Sequence, residues 1–337
     1  MNWISGIFKA REGGTMQSSF ELAVNNLTSV AVLLFALGFF ASRINSDVRM
    51  PESVYQFISV FLLFGIGLKG GNALKDVTVK EFFAPSIATF VLGSTIPFLA
   101  FYILAFVRKL NESDRGAIAA HYGSTSLVTF TAALFFLEGS GIKVEGYATA
   151  LLAIMEIPGI IMGIYLGTRH RDTKVAWNVT MREVLAGKTV VLLVGGLMIG
   201  AVTTNSGYET VTPFFIDLQS GFLALFLLHL GYLAGTNWNE IKHVGFQMSV
   251  FAIVFPILMA VLGMFVANFV GLSLGGTVML GVLCASASYI AAPAAVAVAL
   301  PEAKASLALV SSIGVTFPFN LVVGIPLYLQ IARMIQG

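Results

Sequence analysis

Two short stretches combine hydroxyl side chains with residues that weaken a helix. One is Tyr122-Gly123-Ser124-Thr125-Ser126, and the other is Ser286-Ala287-Ser288-Tyr289-Ile290-Ala291-Ala292-Pro293. Where such a helix opens, backbone N–H groups and hydroxyl protons become free together, and the helix N-terminal dipole adds positive potential. That chemistry suits a small anion, and the candidate ligands are Gly123, Ser124, Thr125, Ser126, Ser286, Ser288 and Tyr289. The plainer alternative is close helix contact through small residues. It accounts for either stretch alone better than for the pair.

Charged residues inside apolar runs are the second kind of chemistry. Lys69 lies in Gly65-Ile66-Gly67-Leu68-Lys69-Gly70-Gly71, and Glu156 in Met155-Glu156-Ile157-Pro158. An ionisable group within a membrane is costly unless paired or hydrated, so both are candidates for coupling or charge compensation. Glu156 is the expected counter-charge for Lys69, or a ligand for a proton or cation. The competing readings are a lysine snorkelling to the interface and a purely structural buried pair. His121 and His229 could titrate near neutral pH, although a packed histidine is the simpler reading. Thr316-Phe317-Pro318-Phe319-Asn320 should kink its helix, with Asn320 bonding across helices as glue rather than as a ligand.

Other chemistries lack their residues. The single cysteine, Cys284, excludes a disulfide framework and a cysteine metal cage, and the four histidines form no HExxH pair. There is no nucleophile-elbow pattern and no P-loop, so the chain is read as no enzyme and as no ATP-driven pump on its own. Net charge is +2 with no Lys/Arg-rich run, which excludes nucleic acid as a partner.

The elements that must position these residues are membrane helices. The 337 residues are 57% hydrophobic and 11% charged, with a mean hydropathy of +0.88. So little charge cannot cover a water-facing surface, since a soluble domain carries about 25% charged residues. The apolar runs are continuous rather than alternating, which argues against a β-barrel. Spans are expected near 26–42, 53–73, 84–107, 115–137, 146–168, 187–206, 219–237, 245–271, 276–299 and 305–332, ten in all. Residues 1–25 read as an amphipathic lead-in without a cleaved signal, and 169–186 as a polar cytoplasmic linker.

Charge orients the chain. Odd-numbered loops carry twelve Lys/Arg: Arg43, Arg49, Arg108, Lys109, Arg115, Arg169, Arg171, Lys174, Arg182, Lys188, Lys242 and Lys304. Even-numbered loops and the termini carry six: Lys9, Arg11, Lys75, Lys80, Lys143 and Arg333. The heavier side should face the cytoplasm of a bacterial inner membrane, with both termini outside.

A constant offset of 165 residues superposes the halves 26–168 and 187–337. Phe57, Phe61, Leu62 and Leu63 fall on Phe222, Phe226, Leu227 and Leu228; Gly70 and Asn72 fall on Gly235 and Asn237; Gly159 and Ile160 fall on Gly324 and Ile325. Five spans per repeat is odd, so the second repeat enters from the opposite side. That inverted design places substrate near the midplane, at broken helices, and the two hydroxyl-rich stretches occupy equivalent places in it.

At this point the chain resembles the sodium-dependent bicarbonate transporters of the cyanobacterial SbtA type and their wider bacterial relatives. The matching stretches are Met50-Pro51-Glu52, Gly67-Leu68-Lys69-Gly70-Gly71, Gly123-Ser124-Thr125, Glu156-Ile157-Pro158, Ala285-Ser286-Ala287-Ser288, Pro301, Ser311-Ser312 and Gly324-Ile325-Pro326-Leu327. No single one is specific; their order and spacing are. The resemblance implies an all-α polytopic fold of ten helices in two inverted five-helix repeats. It also implies a homotrimer, and an elevator-type core sliding on a scaffold. Bicarbonate would lie between the Ser-rich breaks with sodium beside it, in contact with Gly123, Ser124, Thr125, Ser286 and Ser288. A P-II-like regulatory protein would dock on the cytoplasmic side. The chain departs from that pattern in three places. Lys69 stands where the family has an uncharged Thr, Tyr289 stands where it has an Asp, and the connection between the fifth and sixth spans is shorter. Both replacements act against a bound sodium ion, so Lys69 is expected to serve as a tethered cation, with proton-coupled or uncoupled transport. The expected function is secondary transport of a small anion, bicarbonate first. A carrier of small organic anions is the alternative, and a membrane sensor or structural protein without flux is the second.

Overall fold

The computed structural model describes residues 24–170, 176–239 and 245–337. Most of the expected lead-in, with Lys9 and Arg11, lies outside the described residues, as do Arg171, Lys174 and Lys242. The described residues form helices and connecting turns, with no strand among them.

The first part of the chain contributes α1 (Val30–Arg43), α2 (Glu52–Leu74), α3 (Val79–Ile103), α4 (Glu112–Gly123), α5 (Leu127–Gly139) and α6 (Ala148–Thr168). The remainder contributes α7 (Trp177–Leu185), α8 (Lys188–Val202), α9 (Asn205–Phe215), α10 (Gln219–Thr236), α11 (Phe246–Phe269), α12 (Leu274–Ala285), α13 (Ala292–Ala299) and α14 (Ser306–Gln336). Polar starts fix several of these helices in register. Thr78 and Glu81 form a reciprocal capping box at α3, and Asn111 with Asp114 does the same at α4. The Asp114 carboxylate also accepts from the Lys304 N–H at 2.8 Å, tying the start of α4 to the turn before α14.

Among the described residues six helical stretches are long and apolar enough to cross a membrane, or seven if the pair α7 and α8, bent by 49°, counts as one. The other expected crossings are shorter. α1 has 14 residues, and the fourth and ninth spans are each cut in two, at 124–126 and 286–291. At 1.5 Å per residue α4 is roughly 18 Å long, little more than half of a bilayer core of about 30 Å. The first break therefore falls near mid-depth. The stretch 169–186 is more than a polar linker: it carries α7, because Thr180 and Val184 recur at helical spacing and are buried on one face. Apolar residues such as Leu33, Leu37, Phe40, Phe83, Ile87, Phe90, Phe265 and Phe269 are exposed around the outside. That surface is costly in water and ordinary in lipid.

Two helix pairs run parallel at close quarters. α1 packs on α10 with Gly231 against Phe35 and Gly235 against Ser42, and α2 packs on α8 with Gly67 against Leu193 and Gly71 against Leu197. α2 runs opposite to α10, since Tyr55 stacks on Phe226 while Phe61, further along α2, meets Phe222, earlier in α10. The starts of α1 and α10 thus lie at one end of the molecule, and the starts of α2 and α8 at the other. The neighbours of the two breaks correspond as well: α3 packs on α4 and α6, and α11 packs on α12 and α14. Within α14, two π-helical turns, Ser312–Thr316 and Asn320–Gly324, flank the expected kink at Pro318. Such turns leave carbonyls under-bonded, and the Asn26 amide donates to one of them, Leu321, at 2.9 Å.

Candidate functional site

The two breaks meet. α4 ends at Gly123, Ser124 to Ser126 run extended, and α5 starts under the cap of Ser126. α12 ends at Ala285, Ser286 is extended, and α13 starts at Ala292 with Pro293 in its first turn. The Ser126 N–H donates to Ser286 Oγ at 3.1 Å, and the Ser288 N–H donates to the His121 carbonyl at 2.7 Å. Asn320 donates to the Ala285 carbonyl freed at the end of α12, at 2.8 Å, and accepts from the Tyr328 hydroxyl at 2.7 Å. Asn320 is therefore glue, as expected.

Hydrogen bonding divides the candidate ligands into two groups. Ser126 Oγ donates to Tyr289 Oη and accepts from the Thr129 N–H and hydroxyl. Ser286 Oγ donates to the Leu283 carbonyl while accepting from Ser126. Both hydroxyls are committed to holding the breaks in shape. By contrast Ser124 Oγ, Thr125 Oγ1 and Glu156 Oε1 are buried with no hydrogen-bond partner among the described residues. The Thr125 hydroxyl lies beside the Glu156 carboxyl without reaching a hydrogen bond to it. An unsatisfied buried hydroxyl costs about 1–3 kcal/mol, and a charged group more. Two of these oxygens, on Thr125 and Glu156, belong to residues that line one cavity, while Ser124 does not line it.

Thr125, Ser126, Glu156, Ser288 and Tyr289 all line one small cavity of about 10 Å³, with Thr189 of α8 closing it. This volume holds about one water. Ser288 Oγ accepts from the Ala292 N–H, which leaves its own proton free among the described residues. Tyr289 Oη likewise accepts from Ser126 and keeps its proton. Thr125, Ser288 and Tyr289 thus offer hydroxyl donors for an anion, and the Glu156 oxygen offers an acceptor for a proton or a hard cation. Among the described residues no cluster of three or more His, Cys, Asp or Glu could hold a metal ion. Gly123 makes no polar contact here; it lets Pro97 of α3 and Gly159 of α6 approach the break, and a Cβ on Gly159 would run into the Gly123 carbonyl.

A family model matches residues 30–333, nearly all of the described chain. The chain belongs to the Na+-dependent bicarbonate transporter superfamily. No curated protein matches the chain. The resemblance drawn from the Ser-rich stretches and their spacing is thereby borne out, and the chain is a multi-pass membrane protein of a bicarbonate transporter superfamily.

For this superfamily member one expected pairing is corrected. The Lys69 ammonium donates to Glu138 Oε1 at 2.7 Å, not to Glu156, and it does not line the cavity at the breaks. Lys69 is near the end of α2, and Glu138 is at the end of α5, so the long side chain reaches a carboxylate at the molecular edge. The side chains are 32% and 43% exposed, which makes this a partly exposed pair outside the breaks. His121 is fully buried, with Nδ1 donating to the Ala117 carbonyl at 2.8 Å and Nε2 unpaired. His229 packs its ring on Tyr55, 4.6 Å between centroids. Sequence reasoning missed Glu138, which lies at a span end, and Thr189. A single Thr at the start of an apolar run carries no signal, and nothing in the linear order places it opposite Ser288.

Two larger cavities lie toward opposite ends of the molecule. One of about 360 Å³ shares Thr189, Tyr289, Ile290 and Ala291 with the small cavity and extends past Lys188 and Gln56 at the starts of α8 and α2. The other, about 540 Å³, lies at the starts of α1 and α10 beside the end of α5, the opposite end of the molecule.

Proposed function

We propose that this protein is a secondary carrier of bicarbonate that binds the anion at the crossed breaks together with a cation at Glu156. The observation that carries the reading is the mixed site itself. Free hydroxyl donors on Thr125, Ser288 and Tyr289 share a cavity with an unpartnered buried carboxylate. An anion beside a charged Glu156 would be repelled strongly in a medium of low dielectric. A cation or proton on Glu156 makes the pair neutral and links the two occupancies. Membership of a sodium-dependent superfamily favours sodium for that role. Lys69 does not fill it, because it is engaged with Glu138.

The ten-span, inverted-repeat design gains support from the corresponding helix pairs α1 with α10 and α2 with α8, and from the equivalent places of the two breaks. Cavities at opposite ends of the molecule suit alternating access. A site with room for one water must open to admit bicarbonate, which suits an elevator-type movement of the breaks against α2 and α8. The cytoplasmic assignment of the Lys188 end follows from the charge tally. Homotrimer assembly and a P-II-like partner remain implications of the resemblance.

Purified protein in liposomes should take up labelled bicarbonate with saturation, unaffected by an excess of acetate or formate. Uptake of the carboxylates in place of bicarbonate would favour the organic-anion carrier, and no flux of either by folded, inserted protein would favour a sensor.

A further inference from the structure

The start of α8 carries chemistry that the crossed breaks do not use. Gly187 is its N-cap and supplies no side-chain cap, so the first-turn N–H groups of this 15-residue helix are not satisfied by one. Lys188 and Thr189 follow, and both line the 360 Å³ cavity. Thr189 is 6% exposed, makes no hydrogen bond through its hydroxyl among the described residues, and lines the small cavity at the breaks as well. Lys188 is half-buried and donates to the neutral Gln56 Oε1. Among the described residues no carboxylate comes within ion-pair distance of it. Glu183 lines the same cavity but is exposed, and Glu52 hydrogen-bonds to Gln56 rather than to Lys188, its charge acting on the ammonium from beyond ion-pair distance. An exposed charge in water is screened, whereas a half-buried ammonium is screened less.

We propose that Lys188 and Thr189 form a waiting subsite for a small monovalent oxyanion, between the water on the Lys188 side and the breaks. The ammonium and the first turn of α8 draw the anion into the cavity, and Thr189, which lines both cavities, hands it to Thr125, Ser288 and Tyr289. The subsite rests on the reading of the protein as an anion carrier and adds a residue pair from outside the breaks.

The test is charge-selective labelling of Thr189→Cys in a Cys284→Ala background, using vesicles of either orientation. Anionic and cationic methanethiosulfonate reagents are compared, each rate divided by its rate with a free thiol. With water's dielectric, a unit charge about 6 Å away alters the anion-to-cation rate ratio roughly tenfold. The anionic reagent should therefore win from the Lys188 side. Lys188→Gln should lower the ratio about tenfold, and Lys188→Arg should restore it. Bicarbonate in excess should slow the labelling. A ratio unchanged by Lys188→Gln, or a Thr189→Cys unreactive from both sides in folded protein, overturns the subsite. If wild-type protein carries no bicarbonate while the ratio still depends on Lys188, the subsite stands and the bicarbonate assignment fails.

Discussion

The backbone N–H of Ser126 donates to the hydroxyl of Ser286 at 3.1 Å, joining two helix breaks that lie 160 residues apart in the chain. This bond closes a short network in which Ser286 also holds the end of α12 and Ser126 also reaches Tyr289. Ser286→Ala should leave a buried N–H unpaired and cost about 1–3 kcal/mol. The expected outcome is a lower melting temperature in detergent together with reduced flux, and substantial recovery of both in Ser286→Thr. A melting temperature unchanged by the alanine would contradict the structural role.

Tyr289 does two things that one substitution separates. Its ring packs edge-on against Phe317, 5.7 Å between centroids, and its hydroxyl faces the small cavity. Tyr289→Phe keeps the first and removes the second. The buried Ser126 hydroxyl then loses its acceptor, so stability should fall by about 1–3 kcal/mol, and the bicarbonate concentration for half-maximal uptake should rise several-fold. An unchanged half-maximal concentration beside that loss of stability would mean that the hydroxyl only supports Ser126.

Glu156→Gln keeps the shape of the side chain and removes its charge. The fold should be retained, since Glu156 Oε1 has no hydrogen-bond partner to lose and the site no longer holds an ionisable carboxyl. Bicarbonate uptake should lose its response to the cation gradient. Retained sodium stimulation in the amide variant would move the cation away from Glu156.

Gly159 and Gly195 make a matched pair of helical glycines. A Cβ at Gly159 meets the Gly123 carbonyl and the Ser124 N–H, while a Cβ at Gly195 meets nothing within 4 Å. Gly159→Ala should destabilise by about 1–3 kcal/mol through overpacking and abolish transport. Gly195→Ala should be neutral or stabilise by up to about 1 kcal/mol, as alanine favours helix over glycine. Thermal melts and uptake on both variants check this, and similar behaviour of the two would sink the claim that α6 must touch the first break.

Lys69 pairs with Glu138 at the edge of the molecule, where both side chains are substantially exposed. Such a pair contributes about 0–1 kcal/mol. Lys69→Thr should therefore change neither stability nor ion dependence by much, measured as melting temperature and as uptake with and without sodium. A sodium dependence that appears or vanishes in this variant would return Lys69 to the coupling machinery.

Much of this is legible in the sequence because the membrane imposes strong patterns. Long apolar runs mark the helices from Glu52–Leu74 to Phe246–Phe269 within a few residues. Clustered Ser, Gly and Pro mark the breaks, since backbone can be left free at depth only where it lines a site or is covered by protein. Pairings are not legible. Lys69 looks solitary in the sequence because Glu138 is hidden at a span end, and charge alone suggests Glu156 as its partner. The committed hydroxyls of Ser126 and Ser286 and the open ones of Ser124 and Thr125 have the same residue types, and only the geometry tells them apart. Helix α7 reads as linker because its apolar face is narrow, with only Thr180 and Val184 buried.

The most direct test of the central claim is sodium-driven accumulation. Liposomes holding the purified protein are loaded with labelled bicarbonate at the same concentration inside and out, at equal pH, and an inward sodium gradient is imposed. If the anion at the crossed breaks is bound together with sodium at Glu156, labelled bicarbonate accumulates above its starting level and falls back when a sodium ionophore collapses the gradient. If the label stays evenly distributed while it still exchanges across the membrane, the anion travels without sodium and the coupled site proposed here is wrong.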